Sequence, residues 1–472
     1  MSALLSHQCS FGGPLSITSS FCGGNIVHKA TTHVHDPFAT NAPSIRVELL
    51  IDQDPPTVLE GKTHSQWFYF KSTPTCDFDV KASESVASLP TAAPHIKVLY
   101  VIVNANDVAF PSAWPGSSVC VSTDGKKTWP RKCNTVYDKE AGTLSWTHTH
   151  ARDEQGVYFA FFEPYTYDRH IDLVDRCAAV DRKTTRAGGV KVSSLGRSIE
   201  GRDIEMVTVG NGPLKCWVIH RQHPGETQAE FFAEGLLTRL CGLDDAGATD
   251  GNAHLARQSF TFYIVPNMNP DGSAHGYLRT NAGGQNLNRE WCATGDYDAP
   301  TSRRSPEVQC VLRKMDEVGC DCFADIHGDE EMPFCFIAGA EGCANWGDRL
   351  RSLQGAFLAA YCRANADMQK EVSYDPADPM GANLAVASNQ IATRFDCLSI
   401  TLEMPYKDSF SNPDPERGFT GGRCRKLGMS IVDAFLYVKD FLRTEEPFWE
   451  KLGPEDAYVR PKEDWAGKPK HK

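Results

Sequence analysis

The chain lacks any apolar run long enough to cross a bilayer. Stretches such as Val98–Val103 and Val157–Phe162 fall far short of the roughly 20 residues a spanning helix needs. Its first residues, MSALLSHQCS, have neither the basic start nor the apolar run of about 7–15 residues that an export signal carries. No Asn-x-Ser/Thr acceptor, internal repeat or low-complexity tract occurs. Basic residues are in deficit: 48 Lys and Arg against 60 Asp and Glu leave a net charge of −12. That balance argues against a nucleic-acid surface, which needs cations to neutralise phosphates. It also repels acidic partners unless a local basic pocket offsets it. What is plentiful is cysteine, 17 in all and scattered from Cys9 to Cys424. An odd total with no export signal reads as reduced thiols in a cytoplasmic chain. The close pair Cys320-x-Cys322 has no second pair to complete a zinc knuckle and reads as buried small apolar residues.

Texture divides the chain. Residues 1–43 show no period and read as an irregular lead-in. From 44 to 168, short segments rich in β-branched and aromatic residues (Ile45–Ile51, Gln66–Lys71, His95–Asn104, Ser117–Ser122, Thr143–Thr149, Val157–Glu163) predict an all-β sandwich. Residues 169–190 read as a short helix and a linker. Over 191–445, strands at Asp203–Val209, Lys215–His220, Phe260–Val265, Asp321–His327 and Cys397–Glu403 alternate with helices at Glu226–Cys241, Pro306–Val318, Ala344–Asp367 and Lys426–Leu442. That alternation predicts an α/β domain with a mixed sheet flanked by helices. The tail, 446–472, reads as loose or wrapped on the surface.

Four segments carry chemistry. In His220-Arg-Gln-His223-Pro-Gly-Glu226, a strand ends in a tight turn before a helix, so His223 and Glu226 project from the carboxyl end of a strand. An imidazole and a carboxylate so spaced can share one Zn²⁺, although a plain helix-capping turn has the same pattern. Asp325-Ile-His327-Gly328 ends another strand in histidine; His327 would complete three ligands and leave one position open, with Asp325 on the same strand face as a possible orienter. Leu398-Ser-Ile-Thr-Leu-Glu403 ends an apolar strand in a carboxylate, either a rim residue or a general base. The Gly-, Asn- and Pro-rich stretch after Val265 holds Arg279, Asn288 and Arg289, planar donors suited to a carboxylate or oxyanion, or simply solvated arginines.

In combination and in order, His223-Pro-Gly-Glu226, Asn267-x-Asn-Pro-Asp-Gly272, Asn288-Arg289, His327 and Thr401-Leu-Glu403 resemble the zinc metallocarboxypeptidases. Gln66-Trp-Phe-Tyr-Phe70 and Phe162-Glu-Pro-Tyr-Thr-Tyr167 resemble the β-domain that precedes the catalytic domain in the cytosolic carboxypeptidase subfamily. The resemblance covers about 45–445. It implies Zn²⁺ held by His223, Glu226 and His327, with Glu403 as the base that activates the attacking water. Arg279 matches the residue that polarises the scissile carbonyl, and Asn288 and Arg289 the pair that grips a C-terminal carboxylate. Subfamily likeness implies protein or peptide C-termini as partners and deglutamylation, as on polyglutamylated tubulin, as an activity. A glutamate pocket would need a cation, for which Arg394 is a candidate, a surface arginine being the alternative. The net charge and the acidic run Asp329-Glu330-Glu331 weigh against that substrate. Asn286 departs from the family's usual Asp, and Tyr374 and Tyr406 are both candidates for the pocket-capping tyrosine. The competing readings are a zinc hydrolase of small N-acyl amino acids and a binding protein with a vestigial site.

Overall fold

A computed structural model describes residues 15–33, 45–57, 63–75, 96–131, 135–151, 154, 156–183, 189–243, 250–293 and 299–464. The chain forms two compact units, one from residues up to 52 together with 65–162, the other from 53–64 together with 163 onward.

The first unit is built of strands. β1 (Leu15–Thr18), β2 (Val27–His33), β3 (Ile45–Leu50), β4 (Tyr69–Pro74), β5 (Ile96–Ile102), β6 (Cys120–Ser122), β7 (Val136–Asp138), β8 (Thr143–His150) and β9 (Val157–Ala160) make a four-stranded sheet, β1-β4-β9-β6, and a five-stranded sheet, β2-β3-β5-β8-β7. Aromatic rings join the two sheets. Phe70 and Phe159 of the first lie 4.8–6.2 Å, centroid to centroid, from Tyr100 and Trp146 of the second. Such rings bury large apolar areas and prefer these offset geometries, so they are the physical cause of the sandwich. Two expectations need correction. Residues 15–33, placed in an irregular lead-in, supply β1 and β2, and residues 53–64 belong to the second unit. The lead-in lacks the alternation of a two-faced strand because much of β2 is only half-buried.

The second unit is α/β. α1 (Tyr167–Lys183) leads into β10 (Val190–Arg197), β11 (Asp203–Val209) and β12 (Leu214–His220). Then follow α2 (Gln228–Cys241), α3 (Gly251–Ser259), β13 (Phe260–Val265), α4 (Pro270–His275), α5 (Pro306–Val318), β14 (Cys322–Ile326), β15 (Phe336–Ala338), α6 (Asp348–Ala364), α7 (Ala387–Phe395), β16 (Leu398–Glu403) and α8 (Gly421–Val438). The sheet order is β10-β11-β13-β12-β14-β16-β15. Its centre, β13-β12-β14-β16, is parallel, and both flanks are antiparallel. The parallel strands are largely apolar and buried because helices cover them on both sides. On one face Trp217, Ile219, Val265 and Phe323 pack with Trp291, Val311, Met315 and Ile391. On the other, α2 crosses α8 so closely that a Cβ at Gly235 would lie 2.0 Å from the Arg425 carbonyl oxygen.

The short helices α3, α4 and α7 lack the long apolar period that marks α2 or α5, so no sequence pattern announces them. Over 446–464 the chain forms short 3₁₀ turns, buries Phe448 and Asp456, and bonds Lys462 to the backbone of Glu371 and Ser373, against the second unit rather than loose. No helix among the described residues is long and apolar enough to cross a membrane. Their fourteen cysteines are free, and Cys320 and Cys322 are buried.

Candidate active site

The parallel strands fix where the chemistry lies. β12, β14 and β16 run side by side, so their carboxyl ends share one edge. His223, His327 and Glu403 lie at or just beyond those ends. After β12 the backbone turns sharply at Arg221, which adopts a left-handed φ of 57°. That turn presents His223 and Glu226 to the edge. A Cβ on Gly225 would come within 3.0 Å of Leu278, so the turn and the Arg279 segment can approach only through a glycine. The Gly225 N–H bonds the Leu278 carbonyl at 2.9 Å.

Three donor atoms converge. His223 Nδ1 lies 2.6 Å from Glu226 Oε1 and 3.2 Å from His327 Nδ1; His327 Nδ1 lies 2.8 Å from Glu226 Oε2. The remaining ring nitrogens face acceptors: His223 Nε2 is 3.0 Å from Asn286 Oδ1, and His327 Nε2 is 2.8 Å from Asp325 Oδ2. The Asn288 N–H donates to the same Asn286 Oδ1, which fixes the orientation of that amide. Each Nε2 therefore carries a proton, and neutral rings would turn their Nδ1 lone pairs toward a carboxylate. Burial lowers the His223 pKa to about 4 despite Glu226, leaving that ring neutral. Burial also opposes charge on His327, but Asp325 and Glu226 outweigh it and hold a second proton there. The donor set fits a divalent metal of the zinc type, with Asn286 and Asp325 orienting the imidazoles.

That orientation is supported from below. Gln222 donates to Asp325 Oδ2 at 2.7 Å and accepts from Trp291 Nε1 at 2.8 Å. Beneath the turn, the Arg221 guanidinium bonds Glu230 on α2 and the carbonyls of Tyr165 and Pro224, and His170 bonds Glu230 at 2.7 Å. Burial disfavours a charged His170, but Glu230 and Glu205 raise its pKa to about 9 from an ordinary 6.5. A folded-state pKa raised in this way stabilises the protein fully below about pH 6.5. That contribution is lost as pH rises through about 9. Stability is therefore expected to fall on the order of 3 kcal/mol more in wild type than in His170→Phe between pH 6.5 and 9.5, as read by urea unfolding.

Glu403 is buried at the end of β16 beside this cluster. Its Oε1 accepts the Tyr374 hydroxyl at 3.2 Å, and its Oε2 has no hydrogen-bond partner among the described residues. Burial pushes its pKa well above the carboxylate range; His327 opposes this, while Glu226, Asp329 and Glu330 add to it. Of the two tyrosines, Tyr374 places its one hydroxyl between Asp329 at 2.6 Å and Glu403 at 3.2 Å, whereas Tyr406 is buried. Arg279 stands close enough to His223 and Glu330 for its charge to act on both: it adds to the burial that lowers the His223 pKa and opposes the burial, Glu226 and Asp329 that raise that of Glu330. Asn288 lies against His327 and accepts the N–H of Ala387, while Arg289 bonds the Asn288 carbonyl.

Arg394 is not brought to this site. It lies near the end of α7, four residues before β16 begins, and forms a two-pronged pair with Asp316 of α5 at 2.7 and 2.8 Å. The helix runs back against the strand it precedes. Its end therefore lies toward the amino end of β16, opposite Glu403.

Sequence reasoning missed Asp54. Its carboxylate accepts the backbone N–H groups of Leu278, Arg279 and Thr280 at 2.7–3.0 Å, fixing the segment that carries Arg279. Nothing in Asp-Gln-Asp-Pro-Pro links it to residues more than 220 positions away. Glu230 did leave a signal: it shares the helical face of Ala233 and Leu237, where a carboxylate needs a partner. Asp54→Asn would turn a donor toward one of those N–H groups. It is expected to lower kcat/KM about tenfold or more through misplacement of Arg279, with zinc content unchanged, as steady-state kinetics and metal analysis would show.

A triad able to ligate a metal and a buried carboxylate at the carboxyl edge of a mixed α/β sheet are the arrangement a metallohydrolase requires. The chain belongs to the zinc carboxypeptidase family, whose model matches residues 179–417; the cytosolic carboxypeptidase N-terminal domain matches residues 89–162. It is similar to an uncharacterised protein of Zymomonas mobilis, 37% identical over 89% of this chain and 95% of that one. A solved metallo-carboxypeptidase from Pseudomonas aeruginosa is 36% identical, with a TM-score of 0.73 over 90% of this chain and all of that one. Cytosolic carboxypeptidase 4 of Mus musculus is 25% identical over 62% of this chain, which spans about a quarter (26%) of that relative's length.

Proposed function

We propose that this protein is a zinc carboxypeptidase that removes single residues from the C-termini of peptides or proteins. One observation carries the reading: Glu403 stands buried beside the His223–Glu226–His327 triad with an unengaged oxygen. Zinc, when bound by the triad, supplies the Lewis acid that polarises a carbonyl and acidifies water. Glu403 Oε2 accepts the proton of the attacking water and later delivers it to the leaving amine. Arg279 stabilises the oxyanion, and Asn288 and Arg289 receive the free carboxylate of the terminal residue. Tyr374 bonds Glu403 and closes over the substrate. His223→Ala or His327→Ala is expected to bring bound zinc at this triad from one ion per chain to none at nanomolar free metal. Undiminished binding there would remove these residues from the ligand set.

The preferred terminal residue follows from the local charge. With Arg394 paired to Asp316, the cation assigned to a glutamate pocket is gone, and Asp329 and Glu330 flank Glu403 and the triad. The Pseudomonas aeruginosa relative is described in complex with (2-guanidinoethylmercapto)succinic acid. The guanidino end of such a molecule would suit an acidic pocket. Neutral or cationic terminal residues therefore rank ahead of glutamate, and polyglutamylated tubulin falls behind other protein C-termini. The free cysteines support a cytoplasmic setting. The test compares matched peptides with free and amidated C-termini. Free peptides should lose one residue and amidated ones should resist; equal cleavage of both would refute recognition of a terminal carboxylate.

A further inference from the structure

The inner face of β8 begins apolar and ends polar. Leu144 and Trp146 point into the sandwich, and strand alternation puts His148 and His150 next on the same face. Trp146 and His148 both pack on Phe159 of the opposite sheet, at 5.7 and 5.5 Å between ring centroids. Beyond the strand, Glu154 turns its carboxylate back onto the two rings. Its Oε2 lies 2.8 Å from His150 Nδ1 and 3.4 Å from His148 Nε2. Two imidazoles and a carboxylate thus occupy the end of a face that a sandwich ordinarily fills with aliphatic residues.

The Tyr100 hydroxyl lies 2.7 Å from both Ser72 Oγ and His150 Nε2. The buried imidazole is thereby held at both ring nitrogens, by Tyr100 at Nε2 and by Glu154 at Nδ1.

We propose that His148 Nε2, His150 Nδ1 and Glu154 Oε2 form a second metal site, in the β-sandwich unit, for a divalent cation of the zinc type. The three donor atoms lie within 4.8 Å of one another. Their separations of 2.8 and 3.4 Å bracket the roughly 3.3 Å that two ligands about 2.0–2.1 Å from a tetrahedral zinc subtend. Tyr100 and Ser72 orient the buried imidazole, as carboxylates or carbonyls do around other zinc-bound histidines. His148 and Glu154 keep 17% and 13% side-chain exposure, which leaves a route for the ion and a place for solvent as fourth ligand. The bound ion clips the end of β8 to the residues that lead into β9, so its binding free energy adds to the stability of this unit. The site is independent of the catalytic reading.

The full-length protein is stripped with a chelator, reloaded with Zn²⁺, desalted, and assayed for metal by mass spectrometry. Wild type is expected to hold two ions per chain. His148→Ala, Glu154→Gln and His327→Ala should each hold one, and the His148→Ala/His327→Ala double variant none. Zn²⁺ should also raise the Tm of His327→Ala by several degrees and leave that of His327→Ala/Glu154→Gln unmoved. A single wild-type ion, lost in His327→Ala and kept in Glu154→Gln, would overturn the site. A single ion lost in Glu154→Gln and kept in His327→Ala would uphold it while refuting the catalytic triad. Glu154→Gln preserves the size of a part-buried side chain, and a wild-type circular dichroism spectrum is the check that it folds.

Discussion

Glu403→Gln is expected to lower kcat/KM about 10³–10⁴-fold while the zinc bound by His223, Glu226 and His327 stays in place. The amide keeps the size of the side chain and can still accept the Tyr374 hydroxyl, now 3.2 Å from Oε1. What it cannot do is take a proton from water and return it to the leaving amine. The split between turnover and metal content separates a base from a ligand. Loss of zinc along with activity would make Glu403 structural, and near-normal turnover would remove it from the chemistry. The drop should appear mainly in kcat, since the Asn288–Arg289 segment proposed to receive the substrate carboxylate is untouched.

Glu230→Ala is expected to destabilise the protein by about 3–5 kcal/mol, the range for breaking a buried ion pair by removing one partner. Glu230 is fully buried and bonds both Arg221 and His170, themselves buried. Its loss strands a guanidinium and an imidazolium away from water. Asn267 also donates to Glu230, at 3.2 Å, and loses that acceptor. Chemical denaturation of chelator-treated protein reads this cost without the metal's contribution. Because Arg221 forms the bend that presents His223 and Glu226, zinc affinity should fall as well. An effect below 1 kcal/mol would mean that the network is replaceable by solvent and that the bend is fixed elsewhere.

These residues show what a sequence can and cannot convey. His223, Glu226, His327 and Glu403 were legible because each follows or ends an apolar strand, and parallel strands in one sheet bring their carboxyl ends to a common edge. Arg394 misled for the same reason. It precedes β16 and is near Glu403 in number, but a helix feeding a parallel strand ends at the opposite edge of the sheet. Asp54 was invisible, since an isolated turn carboxylate carries no mark of the three distant N–H groups it will accept. His148, within the strand read at Thr143–Thr149, and His150, one position beyond it, carried no mark of a site, because alternation shows only which face they share and not that Glu154 folds back onto them. The α/β alternation was plain where apolar periods were long. It failed at α3, α4 and α7, which are too short to display one.

The most direct test is release of amino acids from a peptide library varied at its C-terminal residue, with purified protein, with chelator, and with chelator followed by Zn²⁺. The account predicts stepwise release of single C-terminal residues, abolished by chelation, restored by zinc, and faster for neutral or cationic residues than for glutamate. Internal cleavage, release that survives chelation, or no release from any peptide would contradict it.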